Sequence, residues 1–221
     1  MEPDGAAADL QGAPWPRALF ADPALEVAPR LLGAVVWHGP VGVRLTEVEA
    51  YAGGEDPGSH AHRGPTPRAA VMFGPAGHAY VYFSYGMHHC LNVVCGRDGV
   101  AGAVLLRAGE VVAGENGARA RRDAGRSLTH PARDLARGPA RLTQGLGVDL
   151  RHNGMDLCAA GATVHVRQGS APAASRIRTG PRVGVSGPGG DGTAYPWRFW
   201  IEGESSVSAY RPGRVVAPRP R

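Results

Sequence analysis

The stretch V-G-V-R-L-T-E-V-E-A-Y, from Val41 to Tyr51, decides how the rest of the chain is read. Its aliphatic and β-branched residues describe a strand, and Gly39-Pro40 just before it marks a turn from a shorter strand at Val35 to Trp37. Alternate side chains of an extended chain share a face, so Glu47, Glu49 and Tyr51 point together. Strict alternation adds Val43 and Leu45 to that face, so the strand is expected to run from apolar into acidic on one side. Carboxylates in such a place are costly unless something neutralises or uses them.

A second unusual segment is Y-V-Y-F-S-Y-G-M-H-H-C-L-N, from Tyr80 to Asn92. His78 to Phe83 and His89 to Cys95 read as the strands of a hairpin, with Tyr85 beside a turn glycine at its tip. Aromatic residues make up only 6% of the chain, so Tyr80, Tyr82, Phe83 and Tyr85 form a real concentration. Tyr80 and Phe83 suit the core of a hairpin. Tyr85 cannot easily be core, and an exposed aromatic on a stiff hairpin suits a wedge between stacked bases. Acids and aromatics together point to a site that holds a flat ligand beside a general base.

The remaining elements follow from capping and breaker residues. Asp22-Pro23 opens a helix carrying Leu25, Ala28 and Leu32 at helical spacing, with Gly33 as its stop. Ala101 to Arg107 reads as a strand and Glu110 to Arg122 as a helix weakened by Gly114 and Gly117. Pro139 to Leu146 is a helix with Pro at its start and Gly147 at its end. Val164 to Val166, Arg182 to Val185 and Arg198 to Ile201 are strand candidates, separated by loops at 168–181 and 186–196. The 221 residues, rich in turns with 33 Gly and 19 Pro, suit one domain. The expected fold is mixed α+β, a single compact domain over 18–210 with a central antiparallel, open-barrel-like β core, peripheral helices and a protruding β-hairpin. Residues 1–17 are expected to be a flexible lead-in and 211–221 a flexible tail.

Charge narrows the chemistry. The net charge of +5 conceals an acidic start, with three arginines against nine acids in residues 1–60, and 21 arginines against ten acids thereafter. A basic majority around a local acidic pocket suits a polyanionic partner, although G- and C-rich coding also enriches arginine. All 24 basic residues are arginine, so a lysine Schiff base is excluded. Three cysteines make neither a disulfide framework nor a C-x-x-C pair, and they are too few for an iron–sulfur cluster. Nine histidines form no H-E-x-x-H or deaminase pattern, so neither a metal nor another cofactor is expected. With no secretory signal and no apolar run of membrane length, the expected location is cytoplasmic. Glu47 and Glu49, with Glu55 and Asp56 nearby, could also be the acid/base pair of a sugar hydrolase.

T-E-V-E-A-Y, R-G-P-T-P-R at Arg63 to Arg68, M-F-G-P-A-G at Met72 to Gly77 and the hairpin segment together resemble the alkyladenine (3-methyladenine) DNA glycosylase family. L-L-R at Leu105 to Arg107, G-P-A-R-L at Gly138 to Leu142 and R-V-G-V at Arg182 to Val185 extend the resemblance to nearly the whole chain. It implies that Glu49 deprotonates the water attacking the sugar C1′, with Arg107 and the Val183 carbonyl holding that water. Tyr51 would stack on one face of a flipped base, and His60 and Tyr82 on the other. Asn92 would sense the base edge and disfavour guanine, and Tyr85 would intercalate where the base has left. Glu47 receives no role. The implied partner is double-stranded DNA containing damaged purines, met by a monomer that leaves an abasic site. A non-catalytic damaged-DNA binder is the alternative. Ala69, Ala70 and His89 depart from the family's common residues and bear on loop geometry and substrate range. Arg119, Arg121, Arg122 and Arg126 are candidate phosphate contacts, although a solvated arginine face is the commoner arrangement.

Overall fold

A computed structural model of the chain describes residues 12–84, 86–123 and 130–213. Among these, eight strands form one sheet: β1 (Val35–His38), β2 (Val41–Tyr51), β3 (Ala79–Ser84), β4 (His88–Val94), β5 (Ala103–Ala113), β6 (Val164–Arg167), β7 (Ile177–Gly180) and β8 (Arg198–Ile201). Every pairing is antiparallel, in the order β3-β4-β5-β2-β1-β6, with β8 joining β2 to β7. The sheet is not closed. Four helices among the described residues flank it: α1 (Arg17–Phe20), α2 (Ala24–Arg30), α3 (Glu115–Asp123) and α4 (Pro139–Leu146). The mixed α+β fold read from the sequence is the one found.

β2 holds the sheet together because it is paired along both edges. One edge lies against β5, while the other pairs with β1 as far as Arg44 and with β8 at Glu47, Val48 and Glu49. Where the second edge changes partners, the register against β5 slips on both sides of Glu47. Such a bulge puts one extra residue into the strand and redirects the side chains beyond it. The main core therefore receives Val41, Val43 and Leu45, and then Val48 and Ala50. Glu47, Glu49 and Tyr51 emerge on the other face, which corrects the strict alternation expected from the sequence. The acids do not continue the apolar face; they lie behind it.

The same two faces run across the neighbouring strands. Val104 and Leu106 of β5, Leu91 and Val93 of β4, and Ala79 and Val81 of β3 enter the main core. Ala103, Val94 and Tyr80 face away, into a second buried cluster roofed by Ala61, Ala69 and Met72.

Several boundaries differ from the sequence reading. β5 continues to Ala113, with Glu110 opposite Arg44 and Val111 opposite Val43. The helix starts only after Gly114, whose φ of +67° no β-branched residue would adopt comfortably. Arg182 to Val185 is a turn, and the strand beside β8 is Ile177–Gly180, within the expected loop. There the Arg182 side chain is held by Asp56, and the Val183 backbone N–H is spent on the Glu49 side chain rather than on a neighbouring strand. Asp22 does not cap α2; its carboxylate pairs with Arg30 at 2.6 Å, and Pro23 occupies the cap position. Residues assigned to the lead-in also include Trp15, which is buried and donates its backbone N–H to Val166 at 2.9 Å.

Candidate active site

Antiparallel pairing places directly opposed residues on one face. Reading across the sheet from β8, the row is Arg198, Glu49, Leu105, Asn92 and Tyr80. The neighbouring row holds Tyr51, Ala103 and Val94. Tyr82 opposes Cys90 on the other side of the first row. Residues far apart in sequence are thus assembled by register alone, with small or aliphatic side chains between the polar ones.

Glu49 is fully buried and held from three directions. The Val183 backbone N–H donates to its Oε1 at 2.7 Å and the Tyr51 hydroxyl to its Oε2 at 3.0 Å. Arg107 Nη1 lies 3.5 Å from the same Oε1. Burial, reinforced by the Glu49 charge, pushes the Tyr51 hydroxyl well above its ordinary range, so it stays a donor at any working pH. A buried carboxylate with fixed donors keeps a defined orientation and a lone pair to offer.

Glu47 is equally buried and more heavily bound. Its Oε1 accepts from Arg198 Nε at 2.7 Å and Ser208 Oγ at 2.9 Å, and its Oε2 from the Ser208 N–H at 2.7 Å. Arg107 Nε is 2.9 Å from the same Oε1. Arg107 therefore spans both acids.

Tyr51 is set by a third device. Arg182, 1% exposed, makes a bidentate pair with Asp56 at 2.5 and 2.6 Å and donates to the Ala50 and Gly189 carbonyls. Its guanidinium lies over the Tyr51 ring at 4.6 Å, with Trp197 and Tyr195 at 5.3 and 5.9 Å. A cation against an aromatic face stabilises both. A Cβ on Gly58 would sit 2.4 Å from Arg182 Nη2, so the turn Asp56-Pro57-Gly58 tolerates only glycine there.

On the opposite wall, His60 meets Tyr82 edge-on at 4.6 Å and shares a 2.9 Å hydrogen bond with the Tyr80 hydroxyl. Arg68 lies over Tyr82 at 4.9 Å. Asn92 is buried in the row between them and Glu49, its amide donating to the Tyr80 carbonyl at 2.9 Å. Although His60 is an exposed residue, desolvation of its ring against the neighbouring tyrosines, helped by the Arg68 charge, lowers its pKa to about 4, so the ring is neutral at physiological pH. Between pH 6.5 and 4 the unfolded chain then takes up a proton that the folded site refuses, so stability falls as pH falls through that window. His60→Asn is expected to flatten that part of a melting-temperature profile; an unchanged slope would contradict this account.

Of the residues expected from sequence, Glu49, Tyr51, Arg107 and Val183 are joined directly, Val183 through its backbone N–H. His60 and Tyr82 are neighbours, and Asn92 stands in the Glu49 row. Tyr85 and Arg126 lie outside the described residues. The exposed Phe83 and Met87 flank the hairpin tip. The sequence reading gave no part to the Arg182 side chain, to Arg198 or to Ser208, and named Asp56 only as an acid near Glu47 and Glu49. Among the described residues, no group of three or more His, Cys, Asp or Glu is placed to hold a metal ion.

Residues 18–205 match a family model described as methylpurine-DNA glycosylase. A Streptomyces avermitilis protein named "Putative 3-methyladenine DNA glycosylase" is 52% identical over 203 residues, covering 90% of this chain and 92% of its own. A protein of the same name from Frankia casuarinae is 53% identical over 208 residues, with 90% and 92% covered. Another, from Burkholderia lata, is 48% identical over 201 residues, with 89% and 92% covered.

Proposed function

The chain belongs to the methylpurine-DNA glycosylase family, and on that premise we propose that it excises alkylated or deaminated purines from double-stranded DNA and leaves an abasic site. The lesions are of the 3-methyladenine, hypoxanthine and ethenoadenine type. The observation that carries this reading is the setting of Glu49, a buried carboxylate oriented by Tyr51, Val183 and Arg107, in the same row as Asn92 and between aromatic walls.

The damaged nucleotide leaves the duplex, and Tyr85 fills the gap. Flipping costs a few kcal/mol, which stacking at about 1–3 kcal/mol per base offsets. Tyr51 forms one side of the stack, and His60 with Tyr82 the other. Glu49 takes a proton from water as its oxygen bonds to C1′; the N-glycosidic bond breaks and its electron pair leaves with the base. Arg107 and the Val183 carbonyl hold the water. A cationic alkylpurine leaves unaided, whereas a neutral base such as hypoxanthine must gain a proton. Asn92 disfavours guanine at the base edge. Because the chain has no lysine, water is the nucleophile and the strand remains intact. The enzyme acts in the cytoplasm as a monomer.

The test is a panel of duplexes carrying 3-methyladenine, hypoxanthine or ethenoadenine, assayed for free base and for alkali-labile sites. Base release with cleavage only after alkali is expected. Tight, salt-sensitive binding without release from any duplex would show a damage-binding protein instead.

A further inference from the structure

Glu47 takes no part in the excision step, yet it carries more hydrogen bonds than Glu49. Resting on the reading of Glu49 as the base, we infer that Glu47 is a positioning residue for the reaction: by engaging Arg107 and Arg198 it keeps both cations from clamping Glu49, which stays free to take a proton from water.

The geometry gives the reason. A guanidinium is a planar fork that grips a carboxylate best with two parallel N–H groups, at about 2.7–2.9 Å. Arg107 Nε lies 2.9 Å from Glu47 Oε1 and donates to Ser208 Oγ at 3.2 Å, so only Nη1 reaches Glu49, at 3.5 Å. Arg198 is the direct neighbour of Glu49 in the β8 register, yet its side chain turns to Glu47 and to the Ser208 carbonyl. Arg182 also faces Glu49, and it is occupied by Asp56. Each of these three cations thus has an acid other than the base.

The groups facing Glu49 come from every surrounding element. They are Tyr51 on its own strand, Tyr82 on β3, Cys90 on β4, Arg107 on β5, Arg198 on β8, and Arg182 and Val183 from the turn after β7. Tyr51 and Tyr82 remain protonated, because burial drives both phenols well above their ordinary range. Cys90 also stays protonated, its pKa raised by burial. The balance around the base is therefore set by the arginines and by what occupies them.

The experiment is the pH profile of single-turnover excision from a hypoxanthine or 3-methyladenine duplex, with DNA affinity measured in parallel. In Glu47→Gln, Arg107 and Arg198 keep their Ser208 partners but have only Glu49 as a counter-charge, so the carboxylate is stabilised. The acid limb is expected to move down by about one pH unit, and the plateau to fall roughly tenfold, with affinity for DNA held. In Arg198→Met one cation is removed and Arg107 is drawn onto Glu47, so the acid limb moves up. A structural role alone would lower the amount of folded protein and leave both limbs in place, and that result overturns the inference. Should Glu47→Gln fail to fold by circular dichroism, Arg198→Met decides alone, since Glu47 keeps Arg107 and both Ser208 donors. Glu49→Gln run beside them separates the two readings. If it is inactive while the limbs stay put, only the Glu47 role falls; if it is active, the base assignment falls as well.

Discussion

Glu49→Gln lowers the single-turnover excision rate about a thousandfold and leaves damaged-DNA binding intact. Glutamine is nearly isosteric, and its amide oxygen can still accept from the Val183 N–H, now 2.7 Å from Glu49 Oε1. The Tyr51 hydroxyl, a donor to the carboxylate, can accept from an amide instead. Arg107 keeps its 2.9 Å contact with Glu47, so no buried cation is left without an acid. The fold therefore survives and only proton acceptance is lost. Excision within tenfold of the parent enzyme would remove Glu49 from the mechanism.

Asp56→Ala has the largest expected effect on stability. It leaves Arg182, almost wholly buried, with backbone carbonyls and aromatic faces but no counter-charge. Removing one partner of a buried pair costs about 3–5 kcal/mol. For a domain of this size that is a fall of roughly 10 °C in melting temperature. Activity should fall further than stability explains, because Arg182 backs the Tyr51 ring and adjoins Val183. The exposed pair between Arg178 and Glu202 is the control: Glu202→Ala should shift the midpoint by roughly 2 °C or less. Similar shifts in the two variants would mean that the buried pair has no special weight.

These two pairs also show what the sequence can disclose. Glu49 and Tyr51 were legible because they sit two residues apart on a strand with clear turn signals at its start. The hairpin was legible through its aromatics and its tip glycine, and α4 through Pro139 and Gly147. The Asp56–Arg182 pair was not, because its partners are 126 residues apart and meet through a turn that local propensity reads as a strand. Val183 reached the expected neighbourhood, but a family motif does not say which backbone group faces the acid. Arg198 lies beside Glu49 only through the β2–β8 register, which no local pattern specifies. Alternation along β2 misplaced Val43 and Leu45 because a bulge leaves little trace in composition.

The bulge also makes this part of the chain a counter. Residues before it and after it reach the same core only because one extra residue lies between them. Losing a residue between Leu45 and Val48, or gaining one, would exchange the faces of everything downstream and send Glu49 into the aliphatic core while Val48 and Ala50 took its place. In this segment spacing is as binding as residue identity. Substitutions can drift through it, whereas a change in reading length would silence the enzyme without altering any of the residues that carry the chemistry.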